Sequence, residues 1–277
     1  MRASYFFLLT LLAVSAGAII NGEPCAEEQF PASLAVIELD NSGYVQTCGA
    51  TLIAPDVAVT AAHCIEYFFK PSYSLTKTQY YVTSKTDAHS LNDSDLGPHA
   101  QNTIRVHAIV IHTGYQGFQR LAPYDDIALL FLSRRSNLPP AKMLTPQQAE
   151  QSLQTGLTAY IVGWGQQQIG FTNTKPTKHF AESFVNQLSS WEMQLGSLSY
   201  TAHKCFGDSG GATYIQFAPT AIGAAPPLLF AGISSHGSGG DKICEKGGFD
   251  TRVDVYYDWI LEAMRAECQT GRRLFCS

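Results

Sequence analysis

The segment Cys205-Phe206-Gly207-Asp208-Ser209-Gly210-Gly211 places a serine on a glycine-rich turn. Such a turn exposes the hydroxyl and leaves backbone N–H groups to face a developing oxyanion. Its small neighbours let a peptide come close to the backbone. A structural turn explains a lone Gly-Ser-Gly equally well, so the segment needs partners. A serine hydroxyl requires a base to take its proton. Thr60-Ala61-Ala62-His63-Cys64 offers His63 at the end of an apolar strand. The base in turn requires a buried carboxylate that fixes its tautomer and stabilises the imidazolium. Asp126 precedes Ile127-Ala128-Leu129-Leu130 and so lies at the edge of a buried strand, whereas Asp125 reads as a solvated turn residue. Hydroxyl, imidazole and carboxylate together would perform acyl transfer.

Positioning them falls to many short strands. Apolar, β-branched runs occur at Leu34–Leu39, Val57–Ala62, Tyr80–Thr83, Val106–Ile111, Ile127–Leu132, Thr158–Val162, Ala212–Phe217, Leu228–Ile233 and Phe249–Val255. Gly, Pro, Asn, Asp and Ser separate them, which predicts an all-β sandwich or barrel. One helix is predicted near the C-terminus, where Tyr256, Trp259, Ile260, Ala263 and Met264 share a face. The 277 residues are 45% hydrophobic and 15% charged, enough for a sizeable core. A net charge of −5, with no dense basic patch, argues against nucleic acid as a partner.

Arg2, the apolar run Tyr5–Val14 and then Ala16-Gly17-Ala18 read as a signal peptide over residues 1–18, leaving a mature chain of 19–277. No other stretch approaches the roughly 18 apolar residues a membrane helix needs, so no anchor is expected. The expected location is outside the cytoplasm, extracellular or periplasmic. Seven cysteines agree with an oxidising compartment.

Ala61-Ala62-His63-Cys64, Asp126-Ile127-Ala128-Leu129, Gly163-Trp164-Gly165 and Gly207-Asp208-Ser209-Gly210-Gly211 resemble, in that order, the chymotrypsin/trypsin family of serine proteases. Ile19-Ile20-Asn21-Gly22 is similar to its mature N-terminus, Ser235-His236-Gly237 to its substrate-pairing strand and Tyr257-Asp258-Trp259-Ile260 to its C-terminal helix. The resemblance implies two packed six-stranded antiparallel β-barrels meeting at roughly residues 135–150, with the active site between them. It implies Ser209 as nucleophile, His63 as general base and acid, and Asp126 as orienting carboxylate. The N–H groups of Gly207 and Ser209 would form the oxyanion hole. A free Ile19 ammonium would pair with Asp208. Cys48–Cys64 and Cys205–Cys244 would be disulfides. Cys25 matches a family cysteine whose usual partner is missing beyond Gly165; Cys268 or Cys276 replaces that partner, or those two pair with each other.

Two features depart from the family pattern. No Lys or Arg lies between Arg2 and Lys70, so a tryptic cut before Ile19 is impossible. Either signal peptidase itself releases Ile19, or it cuts after Ala16 and an aminopeptidase removes two residues. The position implied for the pocket base holds His203, followed by Lys204, so the resemblance does not support cleavage after Arg or Lys. Gly237 and Gly248 match small wall positions and His236 replaces the usual Trp. Asp250 lies near the pocket floor. A basic floor would favour an acidic P1 side chain; Asp250 neutralising Lys204 would leave a merely polar pocket.

The expected function is secreted serine endopeptidase, acting on protein or peptide substrates as a monomer, with a protein inhibitor as a candidate partner. No cofactor and no metal are expected, because the eight histidines show no ligand spacing. The alternative is a catalytically silent homologue that serves as a binding module.

Overall fold

The computed structural model describes residues 19–40, 43–69, 79–92, 94–97, 99–117, 122, 124–166, 177–196, 201–217, 226–238, 244 and 246–276. The proposed leader, 1–18, lies outside them. After the short strand β1 (Glu23–Pro24), six strands close a barrel: β2 (Ser33–Asp40), β3 (Gly43–Ala54), β4 (Val57–Thr60), β5 (Gln79–Thr83), β6 (Thr103–Ile111) and β7 (Ala128–Leu132), in the order β2-β3-β4-β7-β6-β5. The chain then crosses through β8 (Lys142–Met143) and the helix α1 (Pro146–Ser152). Thr145 caps α1 in a capping box with Gln148, with Pro at its start.

A second six-strand closure follows from β9 (Thr158–Gly163), β10 (His179–Leu188), β11 (Glu192–Leu195), β12 (Ala212–Gln216), β13 (Leu228–Gly237) and β14 (Gly248–Arg252). Its order is β10-β11-β14-β13-β12-β9, with β9 pairing back to β10. β1 adds to β10, and β8 runs parallel to β13. Every pairing within the two closures is antiparallel, so the two-barrel fold implied by the resemblance is borne out.

Burial explains the strand sequences. β4 (VAVT) and β7 (ALLFL) are buried at every position and therefore read as continuous apolar runs. Leu34, Val36, Leu52, Val82 and Leu130 fill the first barrel, while Ile161, Val185, Met193 and Leu229 fill the second. The helix α2 (Tyr257–Gln269) buries Ile260 and packs Trp259, Ala263 and Met264 on the core, as their spacing predicts.

Several strand limits differ from the sequence reading. The run Val57–Ala62 ends as strand at Thr60, whose hydroxyl donates to the Gly49 carbonyl, and a 3-10 helix begins at Ala62. The run Phe249–Val255 stops at Arg252, and Leu228–Ile233 extends to Gly237. The sequence reading gives no strand at β3, β10 or β11.

Candidate active site

His63 is the second residue of the 3-10 helix after β4, and Asp126 stands two residues before β7. Both belong to the first barrel, because β4 and β7 are neighbours there. His63 Nδ1 lies 2.8 Å from Asp126 Oδ2, and the His63 backbone N–H donates to Asp126 Oδ1 at 2.9 Å. The second barrel adds the Ser235 hydroxyl, which donates to Asp126 Oδ2 at 2.6 Å, and the Thr251 hydroxyl, which donates to the Asp126 carbonyl at 3.2 Å. Asp126 is 0% exposed. Burial alone would raise its carboxyl; the hydrogen bonds and charge of His63, with the Ser235 hydroxyl, hold it below the ordinary carboxylate range.

Ser235 reaches Asp126 because β13 is irregular. Its register against β14 shifts between Ser234 and His236, which leaves Ser235 as the extra residue of a bulge. Asp125 differs from the solvated turn residue expected. It is largely buried, with φ 48°, and accepts a hydrogen bond from the Tyr256 hydroxyl at 2.7 Å.

Ser209 follows β11 in the connection to β12 and is fixed through its own backbone. The Gly49 N–H donates to the Ser209 carbonyl, and the Gly210 N–H to that of Ser234, both at 2.7 Å. Glycine is required on both sides. Gly207 has φ 91° and touches Gly165, where a Cβ would come within 2.9 Å of Cα. Gly210 has φ 72°, and a Cβ there would overlap the Gly49 carbonyl and the Thr60 hydroxyl.

His63 and Ser209 line one cleft of about 420 Å³. Among the described residues its walls are Cys205, Phe206, Ser234, Ser235, His236, Gly237, Cys244 and Gly248, with Lys204 at depth. Phe206 is 55% exposed at this cleft, a role its place beside the Ser209 turn does not announce in the sequence. His236 stacks on Phe249 with centroids 4.9 Å apart and ion-pairs with Glu192 at 2.8 Å. Burial opposes protonation of His236, but the Glu192 hydrogen bond and charge raise it above the ordinary imidazole range. Glu192 carries no sequence signal of this role, standing between Ser189-Ser190-Trp191 and Met193-Gln194-Leu195.

His203 and Asp250 are not among the cleft-lining residues. His203 is buried, its Nδ1 faces the Thr201 carbonyl at 2.9 Å, and its backbone pairs with Ile20. Asp250 is buried behind Lys204 and bonded to it.

Disulfides join Cys48 to Cys64, beside His63, and Cys205 to Cys244, across the cleft wall. Cys268 pairs with Cys276, and Cys25 is unbridged and half-buried. The Cys25 N–H donates to the Lys178 carbonyl, and the Lys178 ammonium donates to the carbonyls of Gln29 and Phe30. Burial pushes the Cys25 thiol up to about 11 and the Lys178 ammonium down to about 8.

Ile19 is 0% exposed, in the core of the second barrel. Asp208, equally buried, accepts from the Cys205 N–H at 2.9 Å and the Gly165 N–H at 2.7 Å. Burial pushes the Asp208 carboxyl up to about 7 against those hydrogen bonds and the nearby Lys204 charge.

The sequence profile of the Trypsin family matches residues 19–260. Among curated proteins the chain is similar to kallikrein-15 of Saguinus oedipus, 27% identical over 94% of this chain and 96% of that protein. It is 28% identical to human chymotrypsin-like elastase family member 3B, over 89% of this chain and 88% of the relative. Bovine proproteinase E is 27% identical, over 89% and 94% respectively. With the profile spanning both barrels and the cleft between them, the chain belongs to the trypsin family of serine endopeptidases.

Proposed function

We propose that the protein is a secreted endopeptidase that transfers the acyl half of its substrate to Ser209. The observation that carries this reading is the Asp126 carboxylate. It is fully buried, bonded from both barrels, and held against an imidazole that lines the same cleft as Ser209.

Ser209 Oγ attacks the scissile carbonyl carbon as His63 Nε2 accepts the hydroxyl proton. The carbonyl electron pair moves onto oxygen, which faces the N–H groups of Gly207 and Ser209. His63 returns the proton to the leaving amine as the C–N bond breaks. Water then gives a proton to His63 and attacks the acyl carbon. Ser209 recovers its proton as the acid departs. Asp126 keeps the other imidazole proton on Nδ1 throughout and stabilises the cation.

Residues 1–18 act as a leader, and the working unit begins at Ile19. Two observations support a free amine there. Asp208 is a buried carboxylate that a nearby ammonium would stabilise. Ile19 has φ 63°, a costly conformation for a β-branched residue, and a free amine no longer has a φ to constrain.

Protein beginning at Ile19 is expected to hydrolyse a peptide library, and His63→Ala or Ser209→Ala to lower kcat by about a million-fold. Undiminished hydrolysis by either variant would refute the assignment.

A further inference from the structure

At the depth of the cleft, the Lys204 ammonium meets three acceptors: Asp250 Oδ2 at 2.8 Å, the Thr213 hydroxyl at 2.8 Å and the Gly211 carbonyl at 3.3 Å. An ammonium carries three protons, so none remains for a substrate. The Thr213 hydroxyl donates in turn to Asp250 Oδ2 at 2.6 Å, which fixes the carboxylate. The Lys204 and Asp250 side chains are 5% and 2% exposed. The pair is therefore closed, electrically neutral and held by Thr213 and Gly211 rather than by solvent.

The cleft meets this pair through Lys204; Asp250 and His203 do not line it. Gly237 and Gly248 leave part of the wall without side chains, and Phe206 with the Cys205–Cys244 bridge adds apolar surface beside Ser234, Ser235 and His236, none of which carries an unpaired charge. A charged P1 side chain entering here would lose its water and find no unpaired counter-charge among the described residues. A neutral side chain loses little. We infer that Asp250 masks Lys204, so that the cleft selects uncharged P1 side chains, and that the pair sets the preference without touching the substrate's charge.

This rests on the proposed endopeptidase reading. The test uses protein beginning at Ile19 and fluorogenic peptides that differ only at P1: leucine, glutamine, glutamate and arginine. Leucine and glutamine should exceed glutamate and arginine in kcat/KM by about 100-fold, the scale of an unpaired buried charge. Asp250→Asn should unmask Lys204 and raise glutamate relative to leucine by about 10-fold or more. Lys204→Met combined with Asp250→Asn should abolish that gain while leucine is still cleaved, showing that the gain belongs to Lys204. A wild-type preference for glutamate or arginine would overturn the inference. So would an Asp250→Asn protein that cleaves leucine peptides without gaining glutamate. The wild-type profile decides even if the variants fail to fold. If Ser209 does not react with a fluorophosphonate, the endopeptidase reading fails separately. Calorimetric titration of the same peptides into the unreacted protein then reads the cleft: tighter binding of leucine than of glutamate and arginine supports the inference, and equal or absent binding overturns it.

Discussion

Three hydrogen bonds end on the Asp126 carboxylate, two from His63 and one from the Ser235 hydroxyl. The His63 bonds fix the imidazole, and the Ser235 bond keeps the buried charge satisfied from the other barrel. Asp126→Asn would keep the shape but present a donor where Nδ1–H needs an acceptor, and kcat should fall by about 10,000-fold. Ser235→Ala removes one bond to a charged group and should lower kcat by roughly 10-fold, with KM little changed on single-turnover and steady-state assays. A Ser235→Ala enzyme of full activity would show that Asp126 does not need its second-barrel donor. The His63–Asp126 bond and the cleft shared by His63 and Ser209 were legible in the sequence because each residue sits in a motif whose residue types suit that chemistry. The partners were not. Ser235 reaches Asp126 through a strand bulge, and Lys204 is neutralised by Asp250, 46 positions away, and bonded to Thr213, nine positions away. Sequence adjacency carries no trace of either.

Strands that read as continuous apolar runs were legible; β11, which interleaves Met193 and Leu195 with polar residues, and β10, whose inward residues are mostly small or polar, were not. β10 buries His179, Ala181, Ser183 and Val185, and Ser183 donates to the Ala202 carbonyl at 2.8 Å. Its period of two is real, but a hydrophobic pattern cannot register it. The strand β3 is broken in the sequence by Gly49, buried against the loop of Ser209, and by Thr51, buried between β2 and β4. The C-terminal segment is a second case. After α2, Arg273 makes a two-bond pair with Asp56, in the β3–β4 turn of the first barrel, at 2.7 Å each. The Cys268–Cys276 bridge holds that segment to its helix. Removing Arg273 leaves Asp56 buried and unpaired. Arg273→Ala should therefore destabilise the fold by roughly 3 kcal/mol in urea unfolding, with kcat/KM unchanged within about twofold. A change below about 0.5 kcal/mol would mean that this segment does not clasp the first barrel.

At the scale of the whole molecule, the proposed Ile19–Asp208 pairing couples a buried carboxylate to the start of the mature chain. Without the Ile19 ammonium, burial raises the folded Asp208 carboxyl to about 7 from 3.8, even with the Lys204 charge nearby. The fold then favours the protonated acid. The stability from this group is complete below about pH 4 and is lost as pH rises through about 7. A free Ile19 ammonium would lower the folded value and remove the loss. Protein that retains Gly17-Ala18 should therefore lose thermal stability between pH 4 and 8 relative to protein beginning at Ile19. Parallel curves for the two forms would separate Ile19 from Asp208. The barrels and their closure followed from the family motifs, whereas this coupling depends on burial that no composition reveals. The most direct test of the account is reaction of the Ile19 form with a fluorophosphonate, followed by peptide mass mapping. The predicted result is one adduct on Ser209, lost in His63→Ala; an unlabelled Ser209 in correctly processed, folded protein would contradict it.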